Sequence, residues 1–222
     1  MAHGWFITGT DTGVGKTLVS CALLSALAAR GGRVAGMKPV ASGCQPTAAG
    51  LRSEDALALC AAGNVPADYA DINPYAFEAA TAPHLAAEAG GIEIRVDEIR
   101  THYARLAAGA DHVVVEGIGG WLVPTSSTQA MADVVRDLGL PVILVVGLRL
   151  GALNHALLTA EAIAGHGCRL AAWVANTTEK HALEGYVESL RARLNAPLLG
   201  IVPCGCSARD AARHFDLRVL AV

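Results

Sequence analysis

The chain has 222 residues, enough for one well-buried domain, and no break in composition argues for a second, so residues 1–222 read as one unit. A formal charge of −3 gives no electrostatic reason to expect nucleic acid or a membrane surface as partner, and 53% hydrophobic with only 5% aromatic residues points to small-residue helices packed on a large sheet. The longest apolar run, Leu140–Leu148, is too short to span a bilayer and holds Pro141 and Gly147, and no basic, apolar leader precedes the first strand; the expectation is a cytoplasmic protein.

In chain order, Trp5-Phe6-Ile7 centres a predicted strand over Gly4–Thr8. The stretch Gly9-Thr10-Asp11-Thr12-Gly13-Val14-Gly15-Lys16-Thr17 follows, and Thr17–Arg30 is apolar at helical spacing. Strand, glycine-rich loop and helix form the context that a phosphate-binding loop needs. Glycines let backbone N–H groups turn inward around a polyphosphate, and the helix start adds positive potential. In that reading Lys16 reaches the β- and γ-phosphates and the Thr17 hydroxyl sits on Mg²⁺. The first glycine stands six positions before Gly15, one more than the usual spacing. The plain alternative is a tight turn between strand and helix. Gly31-Gly32 is a natural stop for the helix, with Arg30 in its last turn.

Arg33–Met37 is the second predicted strand, and Lys38-Pro39-Val40-Ala41-Ser42-Gly43 leaves it. A lysine in so rigid a turn can neutralise a transferring phosphoryl group or an anionic substrate; a solvated strand-end lysine is the alternative. Ser53 caps a predicted helix Ser53–Ala61 that carries Asp55 in its first turn, a place where acidic residues also occur for dipole reasons alone. Prolines 39, 46, 66, 74 and 83 mark residues 39–95 as loops over the C-terminal edge of a sheet, with a possible extra strand near Ile72–Phe77.

A helix over Val96–Ala108 leads to the strand His112–Glu116 and the turn Gly117-Ile118-Gly119-Gly120. A carboxylate at the tip of a buried strand beside a phosphate loop is where a second Mg²⁺ ligand belongs. A helix Met131–Asp137, a strand Pro141–Gly147 and a helix Leu153–Ala164 come next. Gly151-Ala152-Leu153-Asn154-His155 opens the last of these with N–H groups free for a carboxylate. Asn176 ends the strand Leu170–Ala175, and its amide suits an adenine edge as well as it suits a turn. A helix Ala182–Leu194 and a strand Leu198–Val202 complete the pattern. Strands alternating with helices, several apolar on both faces, define an α/β protein with a parallel sheet. The six cysteines read as small apolar fillers, and Cys204-Gly-Cys206 lacks the spacing of a redox or zinc pair.

Taken together, these stretches resemble dethiobiotin synthetase: Gly9–Thr17, Lys38–Gly43, Leu51–Leu59, Asn73-Pro74-Tyr75, Val115–Trp121, Pro141–His155, Trp173–Asn176 and Pro197–Pro203 occur in the family's order. The lengthened glycine loop is a family trait. The resemblance implies a P-loop NTPase-like three-layer sandwich of about seven mostly parallel strands with helices on both faces, assembled as a homodimer. It implies ATP and Mg²⁺ as cofactors, with 7,8-diaminononanoate (7,8-diaminopelargonic acid) and CO₂ or bicarbonate as substrates. The nucleotide is then held by Gly13, Val14, Gly15, Lys16, Thr17 and Leu18, and further by Glu116, Gly119, Asn176 and Pro203. Thr17, Asp55 and Glu116 become the metal ligands. Lys38, Lys16, Thr12 and Ser42 become the reaction-site residues, with Ser42, Gly119 and Gly120 on the substrate. Ala152, Leu153 and Asn154, reached from the other subunit, hold the substrate's distal carboxylate with Tyr186. Gly13 stands where some relatives carry an acidic residue, and Ile118 replaces a small residue. Partition- or positioning-type ATPases of related design carry a lysine five positions before the loop's main lysine; here that position is Asp11.

Overall fold

The computed structural model describes residues 2–179 and 184–220. Strand β1 (His3–Gly9) runs into helix α1 (Lys16–Ala28), which returns to strand β2 (Val34–Met37). Two short pieces, β3 (Val40–Ala41) and the hairpin β4 (Gln45–Thr47) with β5 (Gly50–Arg52), lead to α2 (Glu54–Ala62). After α3 (Tyr69–Ile72), β6 (Tyr75–Ala76) and α4 (Pro83–Ala89), the regular alternation resumes with α5 (Val96–Gly109) and β7 (His112–Gly120). It continues through α6 (Met131–Leu138), β8 (Val142–Gly147), α7 (Ala152–Gly165), β9 (Leu170–Asn176), α8 (Tyr186–Arg191), β10 (Leu198–Val202) and α9 (Ala208–Ala211), and closes in two 3₁₀ turns.

The main sheet has six strands in the order β10-β9-β8-β1-β7-β2, and every pairing in it is parallel. The expected seventh member near Ile72–Phe77 does form a strand, but its two residues pair with β3 in a separate ribbon. Pro74 and the run of loops around it leave too little extended chain to reach the sheet edge. The central strands bury both faces, so successive side chains divide between two helical layers. Val113, Val115 and Phe6 join the layer of α5 and α6. Val114, Trp5 and Ile7 join α1 on the other side.

Helix α1 is buried on most of its surface, because α2 and α9 flank it while it lies on the sheet. Its small residues, Ser20, Cys21 and Ala22, make that crowding possible, and burial pushes the Cys21 thiol up to about 12. The helix stops at Ala28 instead of Arg30, and Gly31 takes up a left-handed φ of 87° beyond it. The last helix expected from the sequence is shorter than expected: α8 covers Tyr186–Arg191, and Ala182 lies outside the described residues. All six cysteines carry free thiols. Among the described residues no helix is long and apolar enough to cross a membrane.

Strand order reverses about β1: the chain goes to one side for β2 and β7, then to the other for β8, β9 and β10. At such a switch point the loops after neighbouring strands part and leave a crevice at the C-terminal edge. The glycine-rich loop leaves β1 at that place.

Candidate functional site

A cavity of about 690 Å³ opens at the crevice, lined by Thr12, Gly13, Gly15, Lys16 and Thr17 of the loop and α1 start, and by Lys38, Ser42, Asp55, Glu116 and Gly119 from other elements. Four segments far apart in sequence therefore converge there. The loop itself is tightly specified. Gly13 and Gly15 have φ of 75° and 93°, which side-chain-bearing residues rarely adopt. Gly15 ends the loop directly against Asn176, and a Cβ on it would lie 2.2 Å from the Asn176 Nδ2. That Nδ2 donates to the Val14 carbonyl at 2.8 Å, tying the end of β9 to the loop, and the Asn176 Oδ1 is buried with no hydrogen-bond partner among the described residues. Lys16 folds back over the loop to the Asp11 carbonyl at 3.1 Å. Burial, with Lys38 close by, lowers its ammonium pKa to about 8. Asp11 accepts from the Thr12 N–H at 2.7 Å and is held by the Arg149 guanidinium, so a carboxylate occupies the position where positioning-type ATPases carry their second lysine.

Beyond β2, Lys38 turns inward. Its side chain is 3% exposed, and its Nζ donates to Glu116 Oε1 at 2.7 Å and the Gly117 carbonyl at 3.0 Å, and meets Asp55 Oδ2 at 2.8 Å. Burial pulls the ammonium down, but Glu116 and Asp55 outweigh it and hold Lys38 above the ordinary lysine value. Burial likewise pushes Asp55 up, while Lys38 overrides it and keeps that carboxyl below the usual range. Lys38 lines the cavity and also faces two carboxylates, of which Glu116 has no exposed surface and requires a partner.

Glu116 pairs with Ile7, one step inside the sheet, and β7 runs on to Gly120 instead of ending at the carboxylate. Between the pairs Ile7–Glu116 and Gly9–Gly120 the register shifts, and the extra residues of β7 arch toward the cavity. Gly117 must lack a Cβ because one would stand 2.8 Å from the Phe6 ring, and Gly119 has φ of 61° and no room for a Cβ, which would lie 2.7 Å from the Val123 side chain. The Thr17 hydroxyl lies 2.8 Å from Asp55 Oδ1 and 2.9 Å from Glu116 Oε1. One hydroxyl has one proton, so it satisfies one of those oxygens only. Glu116 Oε2 is buried and has no hydrogen-bond partner among the described residues. Both separations from the Thr17 hydroxyl are near the edge length of an octahedron with ligands near 2.1 Å, and with an unsatisfied carboxylate oxygen beside them the oxygen donors fit Mg²⁺ in type.

The sequence missed the supports of these groups. Asn73, 4% exposed, donates through its amide to the Lys38 carbonyl at 2.7 Å and to the Tyr75 carbonyl at 3.2 Å. Tyr69 donates its hydroxyl to Asn73 Oδ1 at 3.1 Å and accepts from the Ser53 N–H at 2.8 Å. Ser53 caps α2, as expected, with its side chain accepting from the Ala56 N–H. One buried hydrogen-bond chain thus positions both Lys38 and the helix that presents Asp55. The signal was Asn73-Pro74-Tyr75, whose role has no local sequence pattern. Ala80, Thr81, Ala82 and Pro83 also line the cavity and were read only as loop.

Other predicted residues lie elsewhere. Leu18 continues α1, and Pro203 is exposed beyond β10, whose Val202 pairs with Asn176. Gly120 pairs with Gly9 at the rim. Ala152, Leu153 and Asn154 form the start of α7 and do not line this chain's cavity, nor does Tyr186, which packs beside β8 and β9. Leu150 and Leu158, bracketing that segment, are 86% and 56% exposed.

A parallel sheet with a glycine-rich loop at its switch point, and a lysine and threonine opening the next helix, defines the class of P-loop nucleotide-binding α/β proteins. The fold matches MinD cell division protein of Aquifex aeolicus with a TM-score of 0.60 at 16% identity, over 100% of this chain and 98% of that one. It also matches signal recognition particle 54 kDa protein of Aeropyrum pernix K1 with a TM-score of 0.58 at 17% identity, over 99% of this chain and 46% of that one. The model of an AAA domain family matches residues 3–207. Relatives similar in sequence include ATP-dependent dethiobiotin synthetase BioD of Xanthomonas euvesicatoria pv. vesicatoria (strain 85-10), 50% identical over 99% of both chains. The proteins of that name from Xanthomonas oryzae pv. oryzae (strain PXO99A) and Yersinia pestis bv. Antiqua (strain Angola) are 51% and 47% identical, covering 97% and 99% of this chain and 97% and 96% of their own lengths. The chain belongs to the ATP-dependent dethiobiotin synthetase family.

Proposed function

We propose that this protein closes the ureido ring of dethiobiotin from 7,8-diaminononanoate, CO₂ and ATP, releasing ADP and phosphate in biotin biosynthesis. The observation that carries the reading is the convergence of Lys16, Lys38, Thr17, Asp55 and Glu116 on one cavity, in a chain about half identical to the synthetases. One amine of the diamine captures CO₂ as a carbamate. A carbamate oxygen attacks the γ-phosphorus and ADP leaves, giving a carbamic–phosphoric mixed anhydride. The second amine then attacks the carbonyl carbon, phosphate departs with the bonding pair, and the amine proton is lost as the ring closes.

Such chemistry needs alignment and charge screening more than acid–base machinery. In this reading the amides of Gly13 to Lys16 and the Lys16 ammonium hold the polyphosphate, with the Leu18 backbone next along the helix. Thr17, Asp55 and Glu116 would hold Mg²⁺, which when bound screens the phosphate oxygens. Lys38, Thr12 and Ser42 line the carbamate and transferring phosphoryl group, and the backbones of Gly119 and Gly120 bound the diamine. The unpartnered Asn176 Oδ1 is suited to accept from the adenine amino group, with Pro203 beside the base. Ala152, Leu153 and Asn154 of the partner subunit, with Tyr186, would take the distal carboxylate in a homodimer. The test is mass detection of dethiobiotin from diamine, ATP and bicarbonate. Steady ATP turnover indifferent to the diamine, with no dethiobiotin formed, would remove the reading.

A further inference from the structure

Every N–H of the Lys38 ammonium is already in use. An ammonium has three donors, and Glu116 Oε1, the Gly117 carbonyl and Asp55 Oδ2 take them at 2.7, 3.0 and 2.8 Å. In this arrangement Lys38 has nothing left to offer an anion in the cavity, although it lines that cavity. The two carboxylates it pairs with are also the two beside the Thr17 hydroxyl. Glu116 Oε1 is shared outright: it lies 2.7 Å from the Lys38 Nζ and 2.9 Å from the Thr17 Oγ1.

We propose that Lys38 is a stand-in for the divalent cation, occupying Asp55 and Glu116 until the metal–nucleotide arrives and being released by it toward the substrate side of the cavity. The inference rests on Thr17, Asp55 and Glu116 being the metal site. A doubly charged ion on Glu116 Oε1 and an ammonium on the same oxygen stand within a few ångströms of each other and repel strongly where little water screens them. The ion, with twice the charge, takes the carboxylates. Lys38 then has free donors, and Ala41 and Ser42, which follow it on the same turn, line the volume it would enter. Substrate anions would therefore meet a lysine with free donors once the metal occupies the carboxylates.

The experiment measures Mn²⁺ binding to the full-length, nucleotide-free protein by loss of the free-ion paramagnetic resonance signal, for wild type, Lys38→Met and Lys38→Ala. Removing a competing cation tightens Mn²⁺ binding, and at least a tenfold lower Kd is expected in both variants. An unchanged or weaker Kd overturns the exchange, since a lysine that acts alongside the metal does not compete with it. Glu116→Gln in each background separates the two levels of the reading. If it removes Mn²⁺ binding, the site stands and the Lys38 result decides the exchange. If Mn²⁺ binds equally without Glu116, the site falls and the exchange with it. Should the Lys38 variants unfold without metal, recovery of a native melting transition on adding Mn²⁺ alone supports the exchange, and no recovery at saturating Mn²⁺ counts against it.

Discussion

Replacing Gly15 by alanine tests whether the loop and the end of β9 work as one unit. Two costs follow from the geometry. The residue has φ of 93°, so an alanine there carries roughly 1–2 kcal/mol of backbone strain. The new methyl would also stand 2.2 Å from Asn176 Nδ2, closer than real Cβ atoms come, and 3.3 Å from its Cγ. Asn176 must move, and the buried Val14 carbonyl then loses its 2.8 Å donor, which costs about another 1–3 kcal/mol. Gly13→Ala is the matched control: its φ is 75°, but nothing lies within 4 Å of the added methyl. Chemical denaturation should thus show Gly15→Ala less stable than Gly13→Ala by about 1–3 kcal/mol. Calorimetric titration with ADP should show at least a tenfold weaker Kd relative to that control, about 1.4 kcal/mol. If the two alanine variants match in both measurements, Asn176 is not coupled to the phosphate loop and its proposed place beside the base is wrong.

Lys16→Ala should lower kcat/KM for ring closure by about 10³-fold, as loss of a charge poised at the transferring group does, while the melting temperature stays near wild type; near-normal turnover would take Lys16 out of the mechanism. Leu158→Asp, on the exposed face that Leu150 extends, should sediment as a monomer and lose diamine affinity with its fold intact, whereas an unchanged dimer would move the interface elsewhere. Asp71 accepts from His102 at 2.7 Å and Arg105 at 3.1 Å; burial pushes its carboxyl up, but those bonds outweigh it and hold it below the ordinary value. A carboxyl lowered by folding stabilises the protein above its unfolded pKa and loses that contribution as pH falls through the folded one. Asp71→Asn should therefore cost about 1–2 kcal/mol at pH 7 and progressively less below about pH 4, and a penalty constant with pH would refute the assignment.

By itself the sequence determined what depends on neighbouring residues. The phosphate loop, the helix it opens, the Ser53 cap and the four strands of the sheet after β1 and β2 are read from local spacing, because glycine conformations, capping and alternating burial are settled within a few residues. Even Glu116 was visible, as a carboxylate following three valines. Only the tertiary structure decided how these pieces meet. It showed that β6 turns away from the main sheet and that β7 runs past Glu116 and bulges into the cavity. It joined Lys38 to Asp55 and Glu116, and Asn73 to Lys38 directly and to the helix of Asp55 through Tyr69 and Ser53. Those outcomes are pairings between residues tens of positions apart, chosen because a fully buried carboxylate needs a cation and a buried carbonyl needs a donor. No local pattern records which partner the folded chain will bring within reach.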